Sequence, residues 1–308
     1  MISRRNIRVK VMQELYTVET AEEALTPEKA VRQLEQHLDQ SRQLFTHLVR
    51  FLTEVARYAE KDARVRASKH LPSSSDLSVN TKIAGNELLW RILETKGYLA
   101  AVETYQVARF DDEGLVRKTY TQLTESPVYQ EYMAASGRDK KDEKKVLEYI
   151  FTDLMLPSED FINHLEEHFI HWDDDAEMMN LMMLNFLAKP GSYDFMALIS
   201  DEKMRFAREL LRSALERKEY CMELIKPRLK NWDADRIAAL DMIIMRLGIC
   251  EFLYFETIPT KVTINEYIDL AKDYSTPHSG QFVNGILDNI HKDLLQEDRI
   301  HKVDYKKQ

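Results

Sequence analysis

Glycine and proline are scarce in this chain, eight of each in 308 residues, and cysteine is scarcer still, with two. So few turn formers argue against a turn-rich β architecture. Cys221 and Cys250 lie far apart in sequence and form no C-x-x-C pair. Neither a disulfide framework nor a zinc site is implied, and a reducing compartment is the natural reading. Long apolar runs are missing too. The most apolar stretch, 237–255, is interrupted by Asp241, Arg246 and Glu251, which argues against a membrane span. The N-terminal arginines have no apolar segment behind them, so no signal peptide is visible. There is no P-loop, nucleophile elbow or Gly-rich dinucleotide turn. Catalysis therefore has no visible apparatus, and no cofactor is expected. Positive charge is also in deficit, 43 basic against 52 acidic residues, for a net charge of −9. That excludes binding to nucleic acid through a general basic surface and leaves only a local basic patch. The expectation is a soluble, cytoplasmic protein that is not an enzyme.

What the sequence has in quantity is charge, at 31%, laid over helical apolar spacing. A first helix is expected over 3–21, with Ile7, Val11, Leu15 and Val18 on one face and Arg4, Arg5, Arg8 and Lys10 on its opposite face and N-terminal end. A long helical pattern follows Thr26-Pro27 to about residue 68, and "PSSSD" at 72–76 reads as a loop. Further helical segments cover 81–106, 113–135 and 141–155, and Ser158 reads as an N-cap. A helix over 201–225 ends near Pro227, and one over 234–255 carries an apolar stripe of Ile237, Leu240, Ile244 and Leu247. Thr263-x-x-Glu266 reads as a capping box opening a helix to about 274. "STPHSG" then turns the chain into a last helix marked by Phe282, Val283, Ile286, Leu287, Ile290 and Leu294. No strand pattern and no fixed repeat is present. The class is all-α.

The stretch "IPTKVTINEYIDLAKDY" followed by "FVNGILD" resembles the C-terminal half of the NusB family of bacterial transcription antitermination factors. Arg246-x-x-x-x-Glu251 before it, the N-terminal "RRNIRVKVMQELY" and the stretch 205–227 fit the same pattern. The resemblance implies a two-subdomain helical bundle. Residues 1–21 would supply the first helix of its N-terminal subdomain and 200–232 the rest. Residues 233–297 would form the C-terminal subdomain and 298–308 a basic tail. Residues 22–199 depart from the family pattern as a large helical insertion, open to a further protein partner.

The resemblance also implies a function: capture of single-stranded boxA-type RNA together with ribosomal protein NusE, within the RNA polymerase antitermination complex. Arg4, Arg5 and Arg8 offer planar donor forks for phosphates at a helix N-terminus. Tyr16 and Phe282 would stack bases, with Gln281 and Asn284 as amide readers and His278 in place of a family acid. Phe282 needs an exposed ring for this role and a buried one if it only packs; the resemblance favours partial exposure. Gly285 reads as a close-packing residue. Asp241, placed on the exposed side of its helix, is the expected contact to NusE, and Arg246 with Glu251 the expected internal ion pair or polar brace. One rival is a ribosomal RNA cytosine methyltransferase, which would need a β/α domain that the chain lacks. The other is a helical protein–protein scaffold of the same fold that has lost RNA binding.

His164, His168 and His171 fall at i, i+4 and i+7, ahead of Asp173, Asp174 and Asp175. No H-E-x-x-H is present, so no metal site is expected. The acid-rich span 158–177 reads as a solvated face, and "RDKKDEKK" at 138–145 as a solvated helix start or linker.

Overall fold

The computed structural model describes residues 1–21, 25–229 and 237–303, and among them every regular element is helical. The chain divides into two compact units. One is Asp39–Ile199 with Met1; the other joins Ile2–Leu38 to the chain from Ser200 onward.

The chain begins with α1 (Arg4–Thr20). Its N-cap Ser3 accepts from the Asn6 backbone while Asn6 reaches back, a reciprocal cap that fixes the start. Next is α2 (Pro27–Ala67), 41 residues long with Pro in its first turn, where a missing N–H is harmless. Leu34, Leu38, Phe45, Leu48, Leu52, Val55 and Ala59 form one buried stripe along it. The boundary between the units falls within this helix, after Leu38.

The unit from Asp39 continues through α3 (Ser74–Leu77), α4 (Glu87–Leu93), α5 (Lys96–Thr104), α6 (Glu113–Glu125), α7 (Pro127–Ala134), α8 (Lys140–Tyr149), α9 (Glu159–His168) and α10 (Trp172–Ala188). Two spans expected to be continuous, 81–106 and 113–135, are broken by internal caps. Asn86 accepts from the Leu88 and Leu89 backbone, and Ser126 from that of Tyr129. The expected loop at 72–76 instead holds α3, because Ser73 and Asp76 cap each other. Ser158 caps α9 by accepting from Phe161.

Two charge runs are less solvated than their composition implies. Glu143 is buried and accepts from Tyr132 and Arg138. Asp175 is buried and accepts from Ser41 at 2.8 Å.

The second unit adds α11 (Asp201–Glu216), α12 (Lys218–Ile225), α13 (Ala239–Tyr254), α14 (Thr260–Tyr274) and α15 (Ser279–Gln296). Ser200 caps α11, which buries Phe206, Ala207, Leu210, Leu211 and Ala214 at helical spacing. In the centre lies α13, buried continuously from Ile243 to Phe252, so it carries almost no polar face. Of its expected stripe, Ile244 and Leu247 are buried while Ile237 and Leu240 are half-buried. Gly248 lets α15 approach: a Cβ there would stand 3.0 Å from both Leu287 methyls. Close packing belongs to this glycine and not to Gly285, where an added Cβ would meet no neighbouring side chain within 4 Å.

Thr263-x-x-Glu266 is not a cap. α14 starts three residues earlier, with Pro259 at its N-cap position, and both side chains serve a buried network instead. Cys221 and Cys250, remote in sequence, meet on α12 and α13 as buried thiols with sulfurs 3.7 Å apart.

Candidate nucleic-acid interface

Within the second unit the N-terminal turn of α1 meets the C-terminal turns of α14, and these meet the first turns of α15. Arg5 Nη2 donates to Asp273 of α14 at 2.9 Å, and its Nη1 lies 3.5 Å from Asp269. On the same helix the Lys272 stem crosses Gly280 of α15, whose missing Cβ would stand 2.8 Å from Lys272 Cγ. His278, Gln281 and Asn284 are exposed. Their spacing of three puts them along one face of the start of α15. Arg4 and Arg5 are part-exposed, Arg4 pairing with Glu202 of α11 and lying over the Phe206 ring. This edge thus presents two guanidinium forks, two amides and an imidazole beside the N–H groups that open α15.

Three residues expected at this edge are elsewhere. Arg8, one turn beyond Arg4, points inward at 2% exposure. Its Nε and Nη2 grip both oxygens of Glu251 at 2.8 Å, and Nη1 donates to Glu266 at 3.2 Å. Thr263 and Tyr267 donate to the same Glu251 carboxylate at 2.8 and 3.1 Å. Burial alone would weaken the guanidinium's charge. The hydrogen bond and attraction from Glu251, with Tyr267 and Glu266, outweigh it and raise the Arg8 pKa further. The same burial, with Glu251 beside it, pushes the Tyr267 phenol well up. Arg8 is therefore a permanently charged core strut.

Phe282 is also inside, 7% exposed, because position 282 falls on the apolar face shared by Val283, Ile286 and Ile290. Asp241 is 4% exposed, not outward-facing: it accepts from Ser279 at 2.8 Å and anchors the start of α15. Arg246 and Glu251 do not pair. Five residues on a helix is about 140° of rotation, which sends them to different faces. Arg246 bonds Glu19, which Lys218 also reaches at 3.1 Å. Although burial opposes it, the pull of Arg246 and Lys218 lowers the Glu19 pKa. Tyr16 is exposed at 43%, but eleven residues beyond Arg5 on α1, roughly 17 Å along the axis.

Sequence reasoning passed over Glu202, Asp269 and Asp273, which meet the exposed arginines. The i, i+4 spacing of the two aspartates was the available signal. It also missed His47, buried on α2 with its Nε2 3.3 Å from that of His164. The three-histidine face does not form, because α9 ends at His168 and His171 stands at the N-cap of α10. His168 Nδ1 lies 2.8 Å from the His164 carbonyl oxygen, to which it donates. Among the described residues, no three His, Cys, Asp or Glu side chains converge as metal ligands. Nor is any described helix long and apolar enough to cross a membrane.

Comparison with known proteins bears on this unit. Residues 183–292 match the NusB family profile. A protein of Methylacidiphilum infernorum described as "Transcription antitermination protein NusB" is 44% identical over 112 residues, covering 36% of this chain and 73% of its own length. One of Bacillus licheniformis with the same description is 43% identical over 98 residues, 32% of this chain and 76% of its own. For that of Salinibacter ruber the identity is 44% over 97 residues, and the match spans 61% of that relative's length. A solved structure of T. maritima NusB is 34% identical with a TM-score of 0.29, covering 42% of this chain and 83% of its own.

Proposed function

Because the chain belongs to the NusB family, we propose that it is a transcription antitermination factor that binds single-stranded, boxA-type RNA together with NusE. The observation that carries this reading is the edge where His278, Gln281 and Asn284 are exposed at the start of α15 and Arg4 and Arg5 are part-exposed at the start of α1. The two guanidiniums suit phosphate oxygens, and the amides and imidazole suit the Watson–Crick edges of unstacked bases. The work is assembly, not turnover: the protein holds nascent RNA and NusE within the RNA polymerase antitermination complex. Arg8, Phe282 and Asp241 support this edge from inside without touching RNA. Tyr16 lies too far along α1 to share one base with Arg5, so it would meet RNA several nucleotides away. The region between α1 and α11 is open to a further protein partner.

A helical scaffold without RNA binding is the second reading, favoured by the carboxylates that meet Arg4 and Arg5. Titrating a labelled boxA RNA with and without NusE decides between them. Two phosphate contacts, at about 0.7 each on a single strand, set a log–log salt slope no steeper than about −1.4. Gln281→Ala with Asn284→Ala should weaken boxA binding more than binding to a shuffled RNA. Absence of binding in both conditions would favour the scaffold.

A further inference from the structure

Arg5 is the best-placed cation at the proposed edge, and it is already occupied. Asp269 and Asp273, one helical turn apart on α14, face it together at 3.5 and 2.9 Å. Lys272, 3.4 Å from Asp269, offsets only part of their charge. The Arg5, Asp269 and Asp273 side chains are 42%, 45% and 53% exposed. Pairs this open are worth little and exchange readily, unlike the buried Arg8–Glu251 grip. Both acids are about half exposed, and both face the one arginine.

We propose that Asp269 and Asp273 are a built-in competitor for the RNA phosphate at Arg5 and hold the affinity of this edge below what its arginines could supply. The proposal rests on the RNA-binding reading above. A phosphate reaching Arg5 must displace the two carboxylates, which are then left beside the polyanion and draw cations back from solution. The contact in the natural chain therefore releases almost no net counterion. With both acids neutralised, no such cation uptake offsets the counterions that RNA sheds when Arg5 neutralises its phosphate. Two consequences follow: tighter binding at low salt, and a steeper salt dependence. Because phosphate contacts carry no sequence information, the gain should be equal for boxA and shuffled RNA.

The test is RNA titration, across a salt series, of the full chain and three variants: Asp269→Asn/Asp273→Asn, Arg5→Ala, and all three changes together. Removing the acids should tighten binding to both RNAs about three- to tenfold at low salt and steepen the slope by about 0.7. In the Arg5→Ala background that gain should vanish, since a coupling routed through one residue disappears with it. Asp273→Ser, read alongside circular-dichroism melts, guards against misfolding of the amide variant. An unchanged or weakened affinity in the double variant overturns the proposal. So does a gain that survives Arg5→Ala, which would be general electrostatics. If the natural chain binds neither RNA, the RNA-binding reading falls first and this one with it.

Discussion

The unit from Asp39 to Ile199 and the unit built on α1, α11 and α13–α15 are both helical, but they fill their interiors with different chemistry. The first is largely aromatic, with the buried acids Glu143 and Asp175 each held by neighbouring donors. Phe45 meets Phe186 and Phe195 at ring distances of 5.8 and 5.5 Å, and Phe51 meets Phe161 at 4.6 Å. The second buries Arg8, Glu251, Arg246 and Asp241 among its aliphatic side chains. An aromatic and aliphatic core tolerates volume-conserving exchange. An ionic core does not, because removing one partner strands the other without water. The two units should therefore fail in different ways.

Arg8→Ala should break the comparison most sharply. It leaves the Glu251 carboxylate buried beside two hydroxyls alone, and the expected loss is about 3–5 kcal/mol in urea denaturation. Adding Glu251→Leu should recover part of it, because the stranded charge is then gone. Phe282→Ala comes next. A buried phenylalanine on the α15 core face should lose roughly 3–4 kcal/mol of stability when truncated. A change in RNA affinity without a shift in melting temperature would instead put that ring at the surface.

The third effect belongs to the aromatic unit. Burial, with His164, His168 and Arg50 adding unfavourable charge, lowers the His47 pKa from 6.5 to about 3. Between those values the unfolded chain holds a proton on this residue that the folded chain refuses. Stability should therefore fall as pH drops below 6.5, by up to about 1.4 kcal/mol per pH unit, and this group contributes no slope above it. Denaturation of His47→Phe across pH 4–7 should show a shallower slope. The smallest effect has the opposite sign. Gly285→Ala, mid-helix with open space around it, should stabilise by about 0.5–1 kcal/mol. The same change at Gly248 should destabilise by about 1–3 kcal/mol, through Leu287.

The helices were legible where apolar spacing and caps coincide. Ser3, Pro27, Ser158 and Ser200 each sit at or beside a helix start that the periodicity also marks. The buried charges were not. Arg8 lies four residues from Arg4 and shares its composition-level signal, and only the position of Glu251, 243 residues away, sends it inward. Thr263 and Glu266 obey a capping pattern but spend their side chains on tertiary partners, which local spacing cannot distinguish. Gln281, Asn284 and His278 are exposed because their helix carries its apolar residues on the other face. Phe282 was misplaced by one position around that helix, a difference of about 100°.

Glu251 on α13 ties two other helices and the tail to one residue. Its carboxylate accepts from α1 and twice from α14, and its backbone carbonyl, with that of Phe255, accepts from Lys302. Sequence drift through this node is consequently constrained to paired steps. Any lineage replacing the acid first leaves Arg8 charged and enclosed, and replacing the arginine first leaves the carboxylate so. Descendants with a neutral core here must have crossed a poorly folding intermediate, or changed both codons while other stabilising substitutions carried the fold. Positions 8 and 251 should therefore vary together or not at all.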